Sequence, residues 1–319
     1  MKLIYDPLSL EYNFQEKNAD GNYRLDGVEK VAERVHLESN VEKDILRVHS
    51  QTLLKKIKGH CKTKVRLAEI LPDEKTLPAI YSSVRQAIKA SQEGLFALTR
   101  PPGHHASRDV SEGFCFLNNI AIAAQKLIDS GKRVCIIDID GHHGNGTEKI
   151  FYKNPHLLLC SVFQDRSYAS RSGDITRIGY GEAKGLNLNL PVPPESGDDI
   201  LLGSLEFFKK QIDRFKPDVI GVSAGFDGYF KDRLLDLNYS VAGYMQFGFN
   251  LSRLGYPIFA VLEGGYHEDV LICAKSFVEG VNGKQSKPEE LTYSTKEVLA
   301  RFNLNIGRLE GKLNELGNL

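Results

Sequence analysis

The chain has 319 residues, 41% of them apolar and 26% charged, the balance of a soluble globular protein with a sizeable core. Its 41 basic and 41 acidic side chains cancel, so a general electrostatic grip on nucleic acid or on an anionic membrane is not expected. The odd, widely spaced cysteines (Cys61, Cys115, Cys135, Cys160, Cys273) lie mostly in apolar runs without C-x-x-C and read as reduced buried thiols. With no leader and no membrane-length apolar stretch, a cytoplasmic protein is expected.

In chain order, residues 1–6 hold a short strand candidate, KLIY, and the polar stretch 9–25 reads as a long loop. Val28, Val31, Ala32 and Val35 have helical spacing within 27–36, and a second helix is expected over 44–57, with His49 near its middle or at a break. His36, His49 and His60 lack a neighbouring carboxylate pattern and read as surface or capping histidines. Residues 62–78, with two prolines, read as loop, and 79–91 as a helix stopped by Gly94.

Residues 95–98 form a short strand that ends in RPPGHHA, where a rigid turn presents His104 beside His105. Adjacent imidazoles lower each other's proton affinity, which favours one neutral ring able to act as a base. Gly113 and Phe114 lead into a helix over 117–127, and Phe114 is a candidate pocket lining. The unbroken apolar run 134–137 has the pattern of a strand buried on both faces of a parallel sheet. It stops at Asp138, Asp140 and His142, which share one side of the chain while it stays extended. Gly141, Gly144 and Gly146 mark a turn, with a helix starting at 147. Two carboxylates and an imidazole packed there call for a divalent cation to offset their desolvation.

A buried strand at 157–162 carries Ser161 at its end. The polar loop 165–185 is of the kind that shapes a site mouth, with Tyr168 a candidate channel wall. A strand at 186–192 and a helix at 200–215 lead to a strand at 217–224 ending in Gly225-Phe226-Asp227-Gly228. A helix at 244–254 precedes a strand at 256–262 that ends in Glu263-Gly264-Gly265-Tyr266, whose glycines let the backbone approach closely and aim the phenol inward. A helical tail over 298–316 carries no identifiable chemistry. Without repeats or linkers, the chain reads as one α/β domain, 1–319, with its motifs between about 95 and 270 and the tail segment at about 285–319.

Four strand ends thus deliver polar groups to one edge of a parallel sheet. Asp140, His142 and Asp227 supply three ligands and leave a coordination position open, the arrangement of a catalytic metal site. Asp138 and Asn145 are left as orienting partners for the histidine pair. Tyr266 offers an O–H to a developing oxyanion, and His104 or His105 accepts a proton. Metal-assisted hydrolysis of an acyl bond uses all these parts.

RPPGHHA, GFCFLNN, DIDGHHGNGT, the glycine-flanked Asp227 and LEGGY resemble the deacetylases of the arginase/deacetylase fold, which include histone deacetylases, acetylpolyamine amidohydrolases and acetoin-utilisation proteins. The resemblance implies a three-layer α/β/α fold with a mostly parallel central sheet. It implies one Zn²⁺ on Asp140, His142 and Asp227, with Tyr266 stabilising the tetrahedral intermediate. His105 would be the principal base and His104 its partner, backed by Asn145 and Asp138 respectively. It further implies a K⁺ held by the backbone of Asp138, Asp140, His142 and Val162 with the Ser161 side chain, and an acyl channel walled by Phe114, with Gly113 and Tyr168 as further candidates. Two aspartates and one histidine form a harder ligand set than three histidines, so Fe²⁺ or Co²⁺ can substitute for Zn²⁺.

Two departures stand out. Asn22-Tyr23-Arg24-Leu25 replaces the family's His-Pro-Glu segment, and Asn145 replaces the aspartate of one subclass. The aspartates that hold two manganese ions in the arginase branch are absent, so one catalytic metal is expected. The implied activity is removal of acetyl groups from N-acetylated amines, foremost acetyl-lysine in proteins, with small acetylpolyamines as the alternative. A polyamine enzyme wants carboxylates at a narrow mouth, often built by a partner subunit, so a homo-oligomer stands among the options. Glu11, Glu16 and Asp20 can supply such carboxylates, although solvated side chains are the simpler reading. A non-catalytic acyl-binding module is the reading from another class; Tyr266 and the intact histidine pair weigh against it.

Overall fold

The computed structural model describes residues 1–12, 19–168 and 172–317. Its strands are β1 (Leu3–Tyr5), β2 (Glu33–Arg34), β3 (Phe96–Ala97), β4 (Val134–Asp138), β5 (Leu157–Gln164), β6 (Asn187–Val192), β7 (Val219–Ala224) and β8 (Ile258–Leu262). They form one sheet in the order β2-β1-β3-β8-β7-β4-β5-β6, and every pairing is parallel. The helices among the described residues are α1 (Leu8–Glu11), α2 (Glu42–Ile45), α3 (Gln51–Thr63), α4 (Thr76–Glu93), α5 (Asn119–Asp129), α6 (Asn145–Phe151), α7 (Asp198–Phe215), α8 (Val241–Ser252), α9 (Val270–Val281) and α10 (Lys296–Gly317).

Successive side chains of a strand face opposite ways, so a strand buried on both faces needs an unbroken apolar run. Cys135 and Ile137 of β4 join one core with Ile200, Leu205, Phe208 and Ile212 of α7, Phe247 of α8, Phe277 of α9 and Phe302 of α10. Val134 and Ile136 join the other with Leu54 and Ile57 of α3, Val84 and Ala87 of α4 and Ile120 of α5. Helices therefore cover both faces, the three-layer α/β/α arrangement expected from the motifs. All five cysteines are buried and free.

The order of connection places the site. From β4 the chain moves to β5 and β6 on one side, then crosses back to β7 and β8 on the other. Open α/β sheets bind ligands at such a reversal, beyond the carboxyl ends of the strands. Asp140 and His142 follow β4, and Asp227 follows β7, its neighbour across the reversal. The four strand ends that carry polar clusters, β3, β8, β7 and β4, are consecutive in the sheet.

The amino-terminal third departs from the sequence expectations. Residues 27–36 are a single 3₁₀ turn, Val28–Lys30, followed by the exposed edge strand β2, whose Glu33 registers with Ile4 of β1. Pairing to a sheet edge outweighs local helical spacing there. The stretch expected as loop at 9–25 holds the last three residues of α1 and a 3₁₀ turn, Asn22–Leu25. The helix expected over 44–57 is two helices, α2 and α3, with Ser50 capping the second by accepting Leu53 N–H. α4 starts at Thr76 and keeps Pro78 in its first turn, where a missing N–H leaves no helical hydrogen bond unmade. Glu16 lies outside the described residues. No helix of the described residues is long and apolar enough to cross a membrane.

Because Ile137 is fully buried in the central strand, Ile137→Ala is expected to lower unfolding free energy by about 2–5 kcal/mol. The midpoint of denaturant unfolding checks this, and an unchanged midpoint would contradict close packing around β4.

Candidate metal centre and active site

Three carboxylates come together at the reversal: Asp138 and Asp140 with no exposed surface, and Asp227 1% exposed. Each is satisfied by backbone donors from neighbouring turns. Asp138 accepts Asp140 N–H at 3.1 Å, Asp140 accepts His142 N–H at 2.8 Å and Gly264 N–H at 2.7 Å, and Asp227 accepts Gly141 N–H at 2.7 Å. His142 Nδ1 sits 2.7 Å from Asp227 Oδ2 and 3.2 Å from Asp140 Oδ1. One donor atom from each of Asp140, His142 and Asp227 lies within 4.8 Å of the others, a group that can hold a metal ion. The donor set, two oxygens and an imidazole nitrogen, suits a divalent first-row ion.

The surrounding turns are shaped to admit these carboxylates. A Cβ on Gly225 would collide with the Asp140 carboxylate, and one on Gly264 with those of Asp227 and Asp140. Glycine is needed at both positions because side chains occupy the space a Cβ would take.

The histidine pair lies beside this group. His104 Nδ1 is 3.1 Å from Asp138 Oδ2, and His105 Nδ1 is 2.7 Å from Asn145 Oδ1. Asn145 in turn donates from Nδ2 to Glu112 Oε1 at 2.8 Å, which orients its oxygen toward the imidazole. The two rings stack obliquely at 4.1 Å, and His105 lies 6.2 Å from His142. Their proton affinities diverge. Burial lowers that of His104, but the Asp140 and Asp138 carboxylates prevail and push it up to about 10. Burial, then the neighbouring His104 and His142, holds His105 well below the ordinary imidazole value. The opposite shifts favour the proton on His104 over His105, and a ring without its second proton can accept one.

Tyr266 approaches from β8. Its backbone N–H is accepted by Asp232 Oδ2, its carbonyl accepts the Tyr23 hydroxyl at 2.9 Å, and the Arg24 guanidinium lies 4.9 Å from its ring. Burial pushes the phenol well above its usual value, so it stays a donor. Phe114 packs edge-on to the Tyr266 ring at 5.8 Å, and Tyr168 stands 5.1 Å from His105. Gly113, Phe114, Tyr168 and Tyr266 line one cavity of about 550 Å³ together with His105 and His142. Gly113 and Phe114 both have left-handed backbone, φ 60 and 63, and a Cβ on Gly113 would strike the His105 ring.

Ser161 of β5 registers with Asp138, and its buried Oγ has no hydrogen-bond partner among the described residues. Val162 beside it is 1% exposed. An orphaned hydroxyl beside a cluster of buried carboxylates fits a cation ligand.

Several participants escaped the sequence reading. His49 is not a surface histidine: it is buried, with Nδ1 2.9 Å from the Ser107 carbonyl and Nε2 accepting Asn118 N–H at 2.9 Å. Burial holds it down to about 4, so it is a neutral tie beneath the histidine turn. Asp20 is not at the mouth either; it is buried, paired with Arg24 Nη1 at 2.5 Å, and accepts the Tyr12 hydroxyl at 2.7 Å. Glu11 pairs with Lys75 at 3.0 Å. Arg24 donates to the Gly265 and Glu263 carbonyls, and Arg100 to those of Ser9, Tyr12 and Asp20. Long-range contacts give these residues their roles, which even Arg100, the first residue of RPPGHHA, does not disclose from its local motif. Glu69, whose Oε2 accepts Gly113 N–H at 2.8 Å, lines the cavity as a carboxylate that sequence reasoning did not place there.

A parallel α/β sheet with an Asp-His-Asp group at its reversal, a histidine pair and a tyrosine defines a class, and comparison places the chain in it. Residues 22–281 match the histone deacetylase domain. The chain belongs to the histone deacetylase/acetylpolyamine amidohydrolase superfamily. It is 38% identical over 218 residues to acetylpolyamine amidohydrolase 1 of Pseudomonas aeruginosa, covering 65% of this chain and 63% of that protein. It is 41% identical over 184 residues to the chloroplastic histone deacetylase 14 of Arabidopsis thaliana, covering 55% of this chain and 43% of the relative. The chain thus spans less than two thirds of the length of these relatives. The crystal structure of an acetylpolyamine aminohydrolase from Burkholderia pseudomallei matches with a TM-score of 0.80 at 26% identity, over 90% of this chain and 100% of the other.

Two outcomes follow from the geometry. Gly225→Ala is expected to abolish stoichiometric metal binding by displacing the Asp140 carboxylate while the fold is retained; metal analysis with circular dichroism checks it, and full occupancy would contradict the ligand assignment. Burial and the Asp140 charge push Asp227 up to about 7, and against the cost of burial Asp227 and Asp140 raise His142. A ligand must shed its proton to bind an ion, so metal affinity should rise as pH passes through about 7, where Asp227 gives up its proton, by up to about tenfold per unit. Calorimetric titration at several pH values measures it, and a pH-independent affinity would contradict this.

Proposed function

We propose that the protein is a metal-dependent amidohydrolase that removes acetyl groups from N-acetylated amines. The observation that carries this reading is that a proton acceptor (His105), a phenol donor (Tyr266) and His142, one member of the three-residue metal group, line one cavity of about 550 Å³. Asp140, His142 and Asp227 would hold the ion, with Zn²⁺ the expected metal and Fe²⁺ or Co²⁺ able to replace it. When bound, the ion polarises the acyl carbonyl and acidifies the attacking water.

The chain's own groups do the rest. His105, held by Asn145 with its basic nitrogen unprotonated, takes the proton of the attacking water and returns it to the departing amine nitrogen. Tyr266 donates its O–H to the oxyanion that develops on the carbonyl, where a pre-aimed donor is worth most. His104 keeps its proton on the Asp138 side and places positive charge beside the reacting centre. Phe114, Gly113 and Tyr168 enclose the acyl arm and exclude water. Ser161, with the backbone of Asp138, Asp140, His142 and Val162, is the proposed K⁺ site; a cation there would offset the buried carboxylates from behind.

For the substrate, small acetylated polyamines are the reading supported by the named relatives from Pseudomonas and Burkholderia and by Glu69, a carboxylate at the cavity that can meet a distal ammonium group. Acetyl-lysine is the second reading. The Arabidopsis relative favours it, as does a rim on which Tyr168 and Leu234 are 44% and 48% exposed, open enough for a polypeptide.

Tyr266→Phe and His105→Ala are each expected to lower kcat by about a hundredfold or more while metal content stays stoichiometric. Wild-type turnover in either variant would remove the mechanism. Parallel assays with acetylputrescine and an acetyl-lysine peptide decide the carrier, and failure on both would direct the search to another acyl compound.

A further inference from the structure

The groups that act on the amide arrive from two strand ends: the imidazoles from the turn after β3, the phenol from the turn after β8. A single buried carboxylate joins the two. Glu263, the first residue beyond β8, has no exposed surface. Its Oε2 accepts Gly103 N–H at 2.7 Å and His104 N–H at 3.0 Å, and its Oε1 accepts the Ser223 hydroxyl at 3.2 Å. Pro101 and Pro102 bring no N–H to that turn, and the amides of Gly103 and His104 are buried donors that need an acceptor.

The backbone around Glu263 is tied to the other parts of the site. Gly264 N–H holds the Asp140 carboxylate at 2.7 Å, Arg24 donates to the carbonyls of Glu263 and Gly265, and Tyr266 follows. One short segment therefore touches the histidine turn through its side chain, a metal-group carboxylate through an N–H, and the phenol through the chain itself.

We infer that Glu263 is a positioning residue for hydrolysis: its carboxylate locks the His104–His105 turn to the strand end that carries Tyr266, setting the distance between proton acceptor and oxyanion donor. This rests on the functional reading above. The physical requirement is an acceptor of the right reach. Glutamine keeps that reach without the charge, while aspartate keeps the charge and is one methylene too short to serve both amides. Misplacement of reacting groups by an ångström can cost up to about a hundredfold in rate.

Three variants test it. Glu263→Gln should keep kcat within about threefold of wild type. Glu263→Asp and Glu263→Ala should lose roughly tenfold to a hundredfold in kcat, with KM and metal content unchanged. Amide hydrogen exchange supplies a readout independent of turnover: Gly103 and His104 should lose protection in Glu263→Asp while Ile136 and Ile137 of β4 keep theirs. Should Glu263→Ala fail to fold, Glu263→Asp carries the test. Wild-type kcat and protection in Glu263→Asp would overturn the inference. So would an equal loss in Glu263→Gln, which would mean charge rather than reach, or a loss explained wholly by missing metal. If the wild-type protein hydrolyses no acetylated amine, the functional reading fails, and exchange at Gly103 and His104 still decides whether Glu263 holds the turn.

Discussion

Three carboxylates buried within a few ångströms of one another are the constraint on which the rest of the structure depends. Isolated burial of even one ionised carboxylate is prohibitive, and like charges side by side raise the cost. The fold meets it in two ways. Backbone N–H groups of Asp140, Gly141, His142 and Gly264 point at the oxygens, and the histidines stand against them. What the protein donors leave uncompensated is negative charge with open lone pairs, and a divalent cation suits that remainder. The same buried carboxylates that suit a cation also raise the proton affinity of His104, while burial and the neighbouring imidazoles lower that of His105.

Topology explains why the arrangement is affordable at this place. Carboxyl ends of neighbouring parallel strands converge their exiting turns, and at a reversal of strand order those turns diverge enough to leave a crevice. β3, β8, β7 and β4 each send one polar cluster into it. The glycines at 225 and 264 remove side-chain bulk where the carboxylates pass. The amino-terminal segment is tied to the arrangement from both directions: its buried Arg24, paired with Asp20, holds the carbonyls of Gly265 and Glu263, and Arg100 from the turn after β3 holds the carbonyls of Ser9, Tyr12 and Asp20. Breaking such a pair strands a charge away from water, so the segment is bound to the site energetically as well as in space.

The strands and their polar ends were legible because both signals are local. An unbroken run such as 134–137 suits burial on both faces of a parallel sheet, and D-x-D-x-H after it is not the usual chemistry of a turn. The convergence of Asp140, His142 and Asp227 followed from two motifs read in order, DIDGHH and the glycine-flanked Asp227. Illegible were the residues whose meaning comes from distant partners. His49 became a buried tie because Ser107 and Asn118 fold onto it, and Asp20 left the mouth because Arg24 draws it inward. The segment 27–36 has helical spacing in apolar residues but pairs with β1 instead, since local propensity yields to an available sheet edge. Residues such as Glu263 show the same limit: LEGGY is visible as a motif, but the two amides that its glutamate accepts lie 159 and 160 positions earlier.

A single ion held by Asp140, His142 and Asp227 at the reversal between β4 and β7 is the claim from which the chemistry descends. Diffraction from crystals of zinc-reconstituted protein, recorded on both sides of the zinc absorption edge, measures it most directly. One anomalous peak within bonding distance of all three side chains is expected. Density at some other cluster, or none between these residues, would contradict it.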